Sequence, residues 1–298
     1  MSNFTIITDS ATDMPQWVIE KYNLKVLPTP VVINGKDYFD GETIHHKEFY
    51  DIQRSGAEIS TYHINQYMFE EAFRPYAARG EELVYFCFST GIAGTFNAAN
   101  LAKTAVLEDY PDAVIDIVDS KCAAIGFGVG VYMALIMQEK GASKEEVIEA
   151  ARFHFDNLEH IFTVETLEYL YKGGRLSRAA AIAGGVLDIK PIINVTDEGK
   201  LEVCEKIRGR KKAIERIIEI VGERGVDLDK QIIGVVHADC EEVCDRMMEE
   251  LKERYGIKAF LKGFLGCAIG AHTGPGLVGI CFLSEKSPYA HYFEDYLQ

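Results

Sequence analysis

The chain has 298 residues, 48% hydrophobic and 26% charged, and its 46 acidic against 31 basic side chains give a formal net charge of -15. This composition fits a globular protein long enough for two ordinary domains and a sizeable core, and it excludes disordered, collagen-like and coiled-coil chains. The acidic balance, with no long Lys/Arg stripe, also excludes nucleic acid as an expected partner, because phosphate contacts need a basic face.

The opening MSNFTIITDS carries no basic region followed by an apolar core and a small-residue cleavage site, so a cytoplasmic chain is expected. Within it, FTIITDS (Phe4 to Ser10) is a short β-rich run, followed by Asp13-Met14-Pro15, whose proline suits a first helical turn. LKVLPTPVVI (Leu24 to Ile33) reads as one extended run ending at Asn34-Gly35, a hairpin-turn signal, after which YFDGETI returns the chain. A helical segment around Asn65 to Ala78 precedes ELVYFCFS (Glu82 to Ser89), apolar on nearly every residue as a parallel strand buried on both faces should be. TGIAGTFNAANLAKTAV then has helical spacing, and AVIDIVDS (Ala113 to Ser120) repeats the strand-to-helix order.

The apolar run CAAIGFGVGVYMALIM (Cys122 to Met137) is shorter than the roughly 20 residues a spanning helix needs, so it predicts a buried helix and no integral membrane segment. KEEVIEAARFHFDNLEHI reads as an amphipathic helix that closes this half. Residues 1–157 therefore predict a three-layer α/β domain with a mainly parallel sheet. Beyond them, strands near Lys190 to Val195, Leu201 to Ile207, Gln231 to His237, Lys258 to Lys262 and Leu277 to Leu283 alternate with two long charged helices. Residues 158–298 predict an α+β domain with a mixed sheet. There is no internal repeat, low-complexity tract or long linker.

The seven cysteines, Cys87, Cys122, Cys204, Cys240, Cys244, Cys267 and Cys281, lie mostly in apolar runs and read as reduced, buried thiols. Cys240 and Cys244, one helical turn apart near His237, are too few for a metal site of three or four ligands, so no metal is expected.

Ligands of parallel α/β sheets sit at the carboxyl ends of strands, which singles out TDSATD (Thr8 to Asp13), STGIAGT (Ser89 to Thr95) and DSK (Asp119 to Lys121). In STGIAGT, Gly91 and Gly94 let backbone N–H groups converge at a helix N-terminus as an anion cradle; the same residues also suit an ordinary turn with Thr95 as cap. The loop lacks the Gly-Lys-Ser/Thr of a nucleotide-binding loop, and no GxGxxG follows a strand in the right place. HTGPG (His272 to Gly276) can aim an imidazole nitrogen at an acid group, and STYHIN (Ser60 to Asn65) offers Thr61, Tyr62 and His63 ahead of a helix that Asn65 or Ser60 would cap. Asp9 with Asp13 suits acid-base or metal chemistry, but equally strand ends and caps, and no GxSxG elbow or recognisable nucleophile occurs.

One stretch stands apart from the acidic background. YLYKGGRLSRAAAIAGGVLDIKPI (Tyr169 to Ile192) gathers Lys172, Arg175, Arg178 and Lys190 around four glycines and small apolar residues. It reads as a flexible turn at Lys172-Gly173-Gly174-Arg175, with Ser177 capping a helix whose small residues, Ala179 to Gly185, lie close to their neighbours.

Taken in order, TDSATDMP, YFDG, GIAGTF, VDSK, KGGRLSRAAAIAGGVLDIKPI, DEGKLEVCEKIRGRKKA and AHTGPG resemble the motifs of the DegV family over nearly the whole chain. The resemblance implies a lipid-binding carrier rather than an enzyme, with two domains holding one long-chain fatty acid between them and no other cofactor. It further implies that the carboxylate is presented to a separate fatty acid kinase of the dihydroxyacetone-kinase type for phospholipid synthesis. By the same resemblance Thr61, Ala93, Gly94, Thr95, His272 and Thr273 would form the ligand site, and Arg175 the kinase-docking surface. The alternative for Arg175 is an ion pair with Glu165 or Glu168.

Two departures bear on the head group. The family carries Thr-Ser-Gln-Pro-Ser where this chain has Thr61-Tyr62-His63-Ile64-Asn65, and usually a serine where it has Ala93. A lost charge-assisted bond to a carboxylate costs roughly 1.5 to 3 kcal/mol, which leaves a different amphipathic ligand, or a small-molecule enzyme at the Gly-rich loop, as alternative readings.

Overall fold

Residues 4–177 and 188–297 are described by the structure, a computed structural model. The first half runs β1 (Phe4–Asp9), a 3-10 turn (Ser10–Thr12), α1 (Gln16–Tyr22), β2 (Lys25–Leu27), β3 (Pro30–Ile33), β4 (Lys36–Phe39), α2 (His46–Arg54), β5 (Ile59–Thr61) and α3 (Gln66–Arg79). It continues with β6 (Glu82–Cys87), α4 (Thr95–Asp109), β7 (Ile115–Asp119), α5 (Ala124–Glu139) and α6 (Lys144–Asp156). The second comprises β8 (Leu158–Thr163), α7 (Glu168–Lys172), β9 (Ile189–Val195), β10 (Leu201–Arg208), α8 (Arg210–Arg224) and β11 (Ile232–His237). It ends with α9 (Glu241–Tyr255), β12 (Ala259–Phe264), α10 (Cys267–Thr273) and β13 (Val278–Leu283).

The fold is α/β, with a parallel sheet and a mixed sheet as the sequence predicts. The parallel sheet has the order β2-β1-β6-β7, and the mixed one β10-β9-β8-β13-β11-β12, antiparallel except between β11 and β12. A third, antiparallel sheet has the order β4-β3-β5.

The period of two along β6 explains the layering. Leu83, Tyr85 and Cys87 pack with Phe69 and Phe73 of α3 and Ala98 and Ala102 of α4, whereas Val84 and Phe86 join Val18 of α1 and the core around α5. Helices thus cover both faces. In the mixed sheet, Ile192, Val235 and Ile280 face α8 and α9, while Ile193, Val236 and Cys281 face the core that α5 shares.

Helix α5 therefore lies between the sheets, with every residue from Ile125 to Met137 buried. Its surroundings demand close approach: a Cβ on Gly128 would fall 2.5 Å from the Thr12 carbonyl oxygen. Among the described residues, no helix is long and apolar enough to cross a membrane.

Two sequence expectations need correction. LKVLPTPVVI is not one strand but two, β2 in the parallel sheet and β3 in the small antiparallel one. Pro28 and Pro30 bracket the break, where the missing N–H groups cannot serve a continuous ladder. KEEVIEAARFHFDNLEHI is helical only to Asp156; Leu158 onward is β8, whose backbone finds partners on both β13 and β9. Tertiary pairing there overrides the local helical pattern.

Replacing Gly128 with Ala is expected to destabilise the protein by about 1–3 kcal/mol through the clash with Thr12, despite the ~1 kcal/mol that alanine gains in a helix interior. The denaturant midpoint of the variant measures this.

Candidate functional site

The site is organised by α10, whose first amide groups have no partner within the helix. Asp13 Oδ1 accepts from Gly266 N–H at 2.8 Å, and Asp40 accepts from Cys267 N–H at 2.9 Å and Ala268 N–H at 3.1 Å. Tyr50 Oη donates to Leu265 O at 3.1 Å and Gln53 Nε2 to Gly270 O at 3.0 Å. Asp13 of TDSATD and Asp40 of YFDG thus cap this helix, and they tie the second half's helix to the first half. Burial holds the Asp13 carboxyl well above the ordinary carboxylate range, against the bond from Gly266.

Asp9 is likewise structural. It accepts from Ala11 N–H at 3.0 Å, Tyr85 Oη at 2.7 Å and Phe88 N–H at 3.2 Å. Burial pushes its carboxyl up to about 6, the three hydrogen bonds opposing.

His272 stands on the last turn of α10, with Nε2 2.6 Å from Oγ1 of Thr61, the last residue of β5. Its Nδ1 faces the end of α7, where a Cβ on Gly173 would lie 2.1 Å away. Gly174 follows with φ +73°, and Arg175 Nη1 donates back to Gly173 O at 2.5 Å. The Lys-Gly-Gly-Arg stretch is therefore not simply a flexible turn: Gly173 leaves room for the imidazole, and Gly174 supplies a left-handed residue. Burial, reinforced by the Arg175 cation, lowers His272 to about 4, so the ring is neutral at neutral pH.

The basic residues of this stretch separate by role. Lys172 pairs with Glu168 at 2.6 Å, Lys190 with Glu165 at 2.6 Å, and Glu165 also with Arg210 at 2.5 Å. Arg175 has no carboxylate within ion-pair distance among the described residues, so the pairing with Glu165 or Glu168 is not formed. Arg178 and the run Ala179 to Gly185 lie outside the described residues.

At the opposite wall α4 begins. Gly94 is its N-cap residue and no side chain caps it; Thr95 is the first helical residue rather than the cap. Asn65 does cap α3, accepting from Met68 N–H at 3.0 Å. Gly91 serves close packing, since its Cβ would fall 2.5 Å from Glu198 O in the turn between β9 and β10. Ser89 Oγ donates to Gly199 O of the same turn at 2.8 Å. The cradle read from STGIAGT thus narrows to the Gly94–Thr95 end.

Between these elements lies a cavity of about 310 Å³, within the range of small-molecule sites. Thr61, Ala93, Gly94, Thr95, His272 and Thr273 all line it, and so does Arg175. Its exposed lining comprises Tyr62, His63 and Gly94, with the His63 ring 3.3 Å from where a Gly94 Cβ would be. The Thr273 hydroxyl donates to Ile269 O at 3.2 Å, which ties it to its own helix. Away from this end the wall follows β8 and β13 through Phe162, Gly279, His160 and Cys281, and Val195 and Leu201 of the β9–β10 hairpin cover it. Sequence reading missed these wall residues because an apolar strand residue facing a cavity has the same local pattern as one facing core.

Comparison with known proteins follows the same outline. A family profile described as "Uncharacterised protein, DegV family" matches residues 3–285. A DegV domain-containing protein of Clostridium perfringens is 36% identical over 291 residues, covering 97% of this chain and 100% of that protein. Among solved structures, a fatty acid (stearic acid)-binding protein from Eubacterium ventriosum superposes with TM-score 0.86 at 28% identity, covering 93% of this chain and 97% of that one. A fatty-acid-binding protein of the same family from Thermus thermophilus gives TM-score 0.85 at 28% identity, covering 94% and 99%.

Substituting Gly173 by Ala is expected to push the imidazole off Thr61 and towards solvent. An NMR titration of the His272 ring would show its midpoint rising from about 4 towards the ordinary 6.5, because relief of burial favours the charged form.

Proposed function

This chain belongs to the DegV family, and from that premise we propose that it is a lipid-binding carrier that holds one long-chain fatty acid in the cavity described above. One observation carries the reading: a largely apolar cavity between the two sheets brings Thr61, Thr95 and His272 together on its wall, with His272 against Thr61. The relatives from Eubacterium ventriosum and Thermus thermophilus, described as fatty-acid-binding, support it.

The chemistry of the polar end suits a carboxylate. With Nε2 protonated, His272 donates to Thr61 Oγ1, which leaves the threonine hydroxyl proton for the ligand. The amide groups at the start of α4, around Gly94 and Thr95, add donors and the positive end of a helix dipole. Ala93 supplies no hydroxyl where the family usually has one, a difference of roughly 1.5 to 3 kcal/mol. The tail outweighs it, since each buried methylene contributes about 0.8 kcal/mol. Residues 1–157 and 158–298 serve as the two domains that meet at this cavity.

Presentation of the carboxylate to a separate dihydroxyacetone-kinase-like fatty acid kinase is the second part of the proposal. Arg175 supports it, being without a carboxylate partner among the described residues and bordering both the cavity and a surface groove with Lys200 and Lys206. Acid-base catalysis by the chain itself finds less support, because both Asp9 oxygens accept bonds from the protein and His272 is engaged by Thr61. The seven cysteines are all unpaired, which supports a reducing compartment such as the cytoplasm.

Mass spectrometry of the denatured protein purified from cells is expected to show a long-chain fatty acid; finding none, with no uptake of added acid, would overturn the carrier reading. Thr61→Val is expected to weaken binding about tenfold or more, as for a lost bond to a charged group. Arg175→Ala is expected to abolish acyl phosphate formation by the cognate kinase while the acid still binds, and a loss of binding instead would move Arg175 into the head-group site.

A further inference from the structure

Several other polar groups on the cavity wall have partners within the protein, although His272 Nδ1, which faces Gly173, has none among the described residues. Asp9 accepts from three donors, Thr29 Oγ1 lies 3.0 Å from Ser10 Oγ, and Thr273 Oγ1 donates to Ile269 O at 3.2 Å. His160 differs. Its ring lines the cavity while the residue is only 5% exposed. Nδ1 lies 3.2 Å from Leu158 O, a carbonyl that only accepts, so Nδ1 carries the proton and Nε2 presents a lone pair. Among the described residues Nε2 meets only the Ala123 N–H, at 3.5 Å, beyond the usual range of such bonds.

The surroundings are shaped to this ring. A Cβ on Gly126 of α5 would fall 2.2 Å from Nε2 and 2.7 Å from Cys281 Sγ, so only glycine fits against it. His160 is paired in register with Cys281, three residues along β13 from Val278, or about 10 Å at the rise of a strand. Burial lowers the ring to about 4, which keeps it an uncharged acceptor at neutral pH. A buried acceptor with so weak a partner costs free energy unless a donor meets it.

We propose that the cavity selects a long-chain acid bearing a hydroxyl group partway along its chain, and that His160 Nε2 is the acceptor for that hydroxyl. This rests on the fatty-acid reading and adds a substrate class to it. A carbonyl or a double bond at the same place offers no proton, so keto and unsaturated acids do not satisfy Nε2.

Equilibrium binding of stearic acid, a series of positional hydroxystearic acids and their keto counterparts to the wild-type protein tests the idea. At least one hydroxy isomer is expected to bind about five- to tenfold tighter than stearic acid, as one added hydrogen bond allows, with its keto counterpart showing no such gain. In His160→Phe the hydroxy-to-stearic ratio is expected to fall to about one. On the wild type itself, the ¹⁵N resonance of His160 Nε2 is expected to shift with the preferred hydroxy acid and not with stearic acid, a readout independent of the variant's folding. Stearic acid bound while no hydroxy isomer is favoured, or no selective ¹⁵N shift, would overturn this proposal alone; no binding by any acid of the series would overturn the carrier reading beneath it.

Discussion

The caps on α10 are the constraint on which the site depends. Asp13 and Asp40 come from loops of the first half, yet the amides they accept, at Gly266, Cys267 and Ala268, open a helix of the second. That helix carries His272 to Thr61 and packs beside α7, where Gly173 makes room for the ring. Orphan amides at a buried helix start are costly, so the same bonds that stabilise α10 also fix where the two halves meet. The polar end of the cavity is in this sense a by-product of capping.

Helix α5 supplies the complementary constraint on the apolar side. It is buried on all faces and shared by both sheets, so neither sheet has a core to itself on that side. Its glycines admit the Thr12 backbone at one level and the His160 ring at another. The cavity lies where the mixed sheet, the start of α5 and the β9–β10 hairpin do not fill the gap between them.

The sequence made the layers legible because burial on both faces leaves an unmistakable pattern, as in ELVYFCFS, and because Asn34-Gly35 marks its hairpin. It marked STYHIN, STGIAGT and HTGPG as candidate polar loops, but only the resemblance joined them in one site: nothing local to Thr61 or His272 announces a contact across 211 positions. Asp13 reads equally as an acid-base, metal or capping residue and Asp40 only as part of the YFDG motif, since a cap supplied from a distant loop carries no spacing signal. Leu158–Ile161 reads as the end of a helix because its strand character comes from partners on either side, and Arg175 reads as surface because its approach to His272 depends on how α7 ends.

The β9–β10 hairpin roofs the cavity from the edge of the mixed sheet. Val195 and Leu201 belong to a hairpin whose outer strand, β10, has a neighbour on one side only, and whose tip is fastened by Ser89 Oγ to Gly199 O. Edge elements detach at a fraction of the free energy needed to unfold a domain. This ribbon is therefore the part of the mixed sheet's cavity wall held by the fewest strand partners, whereas β8 and β13 deeper in the wall are paired on both sides.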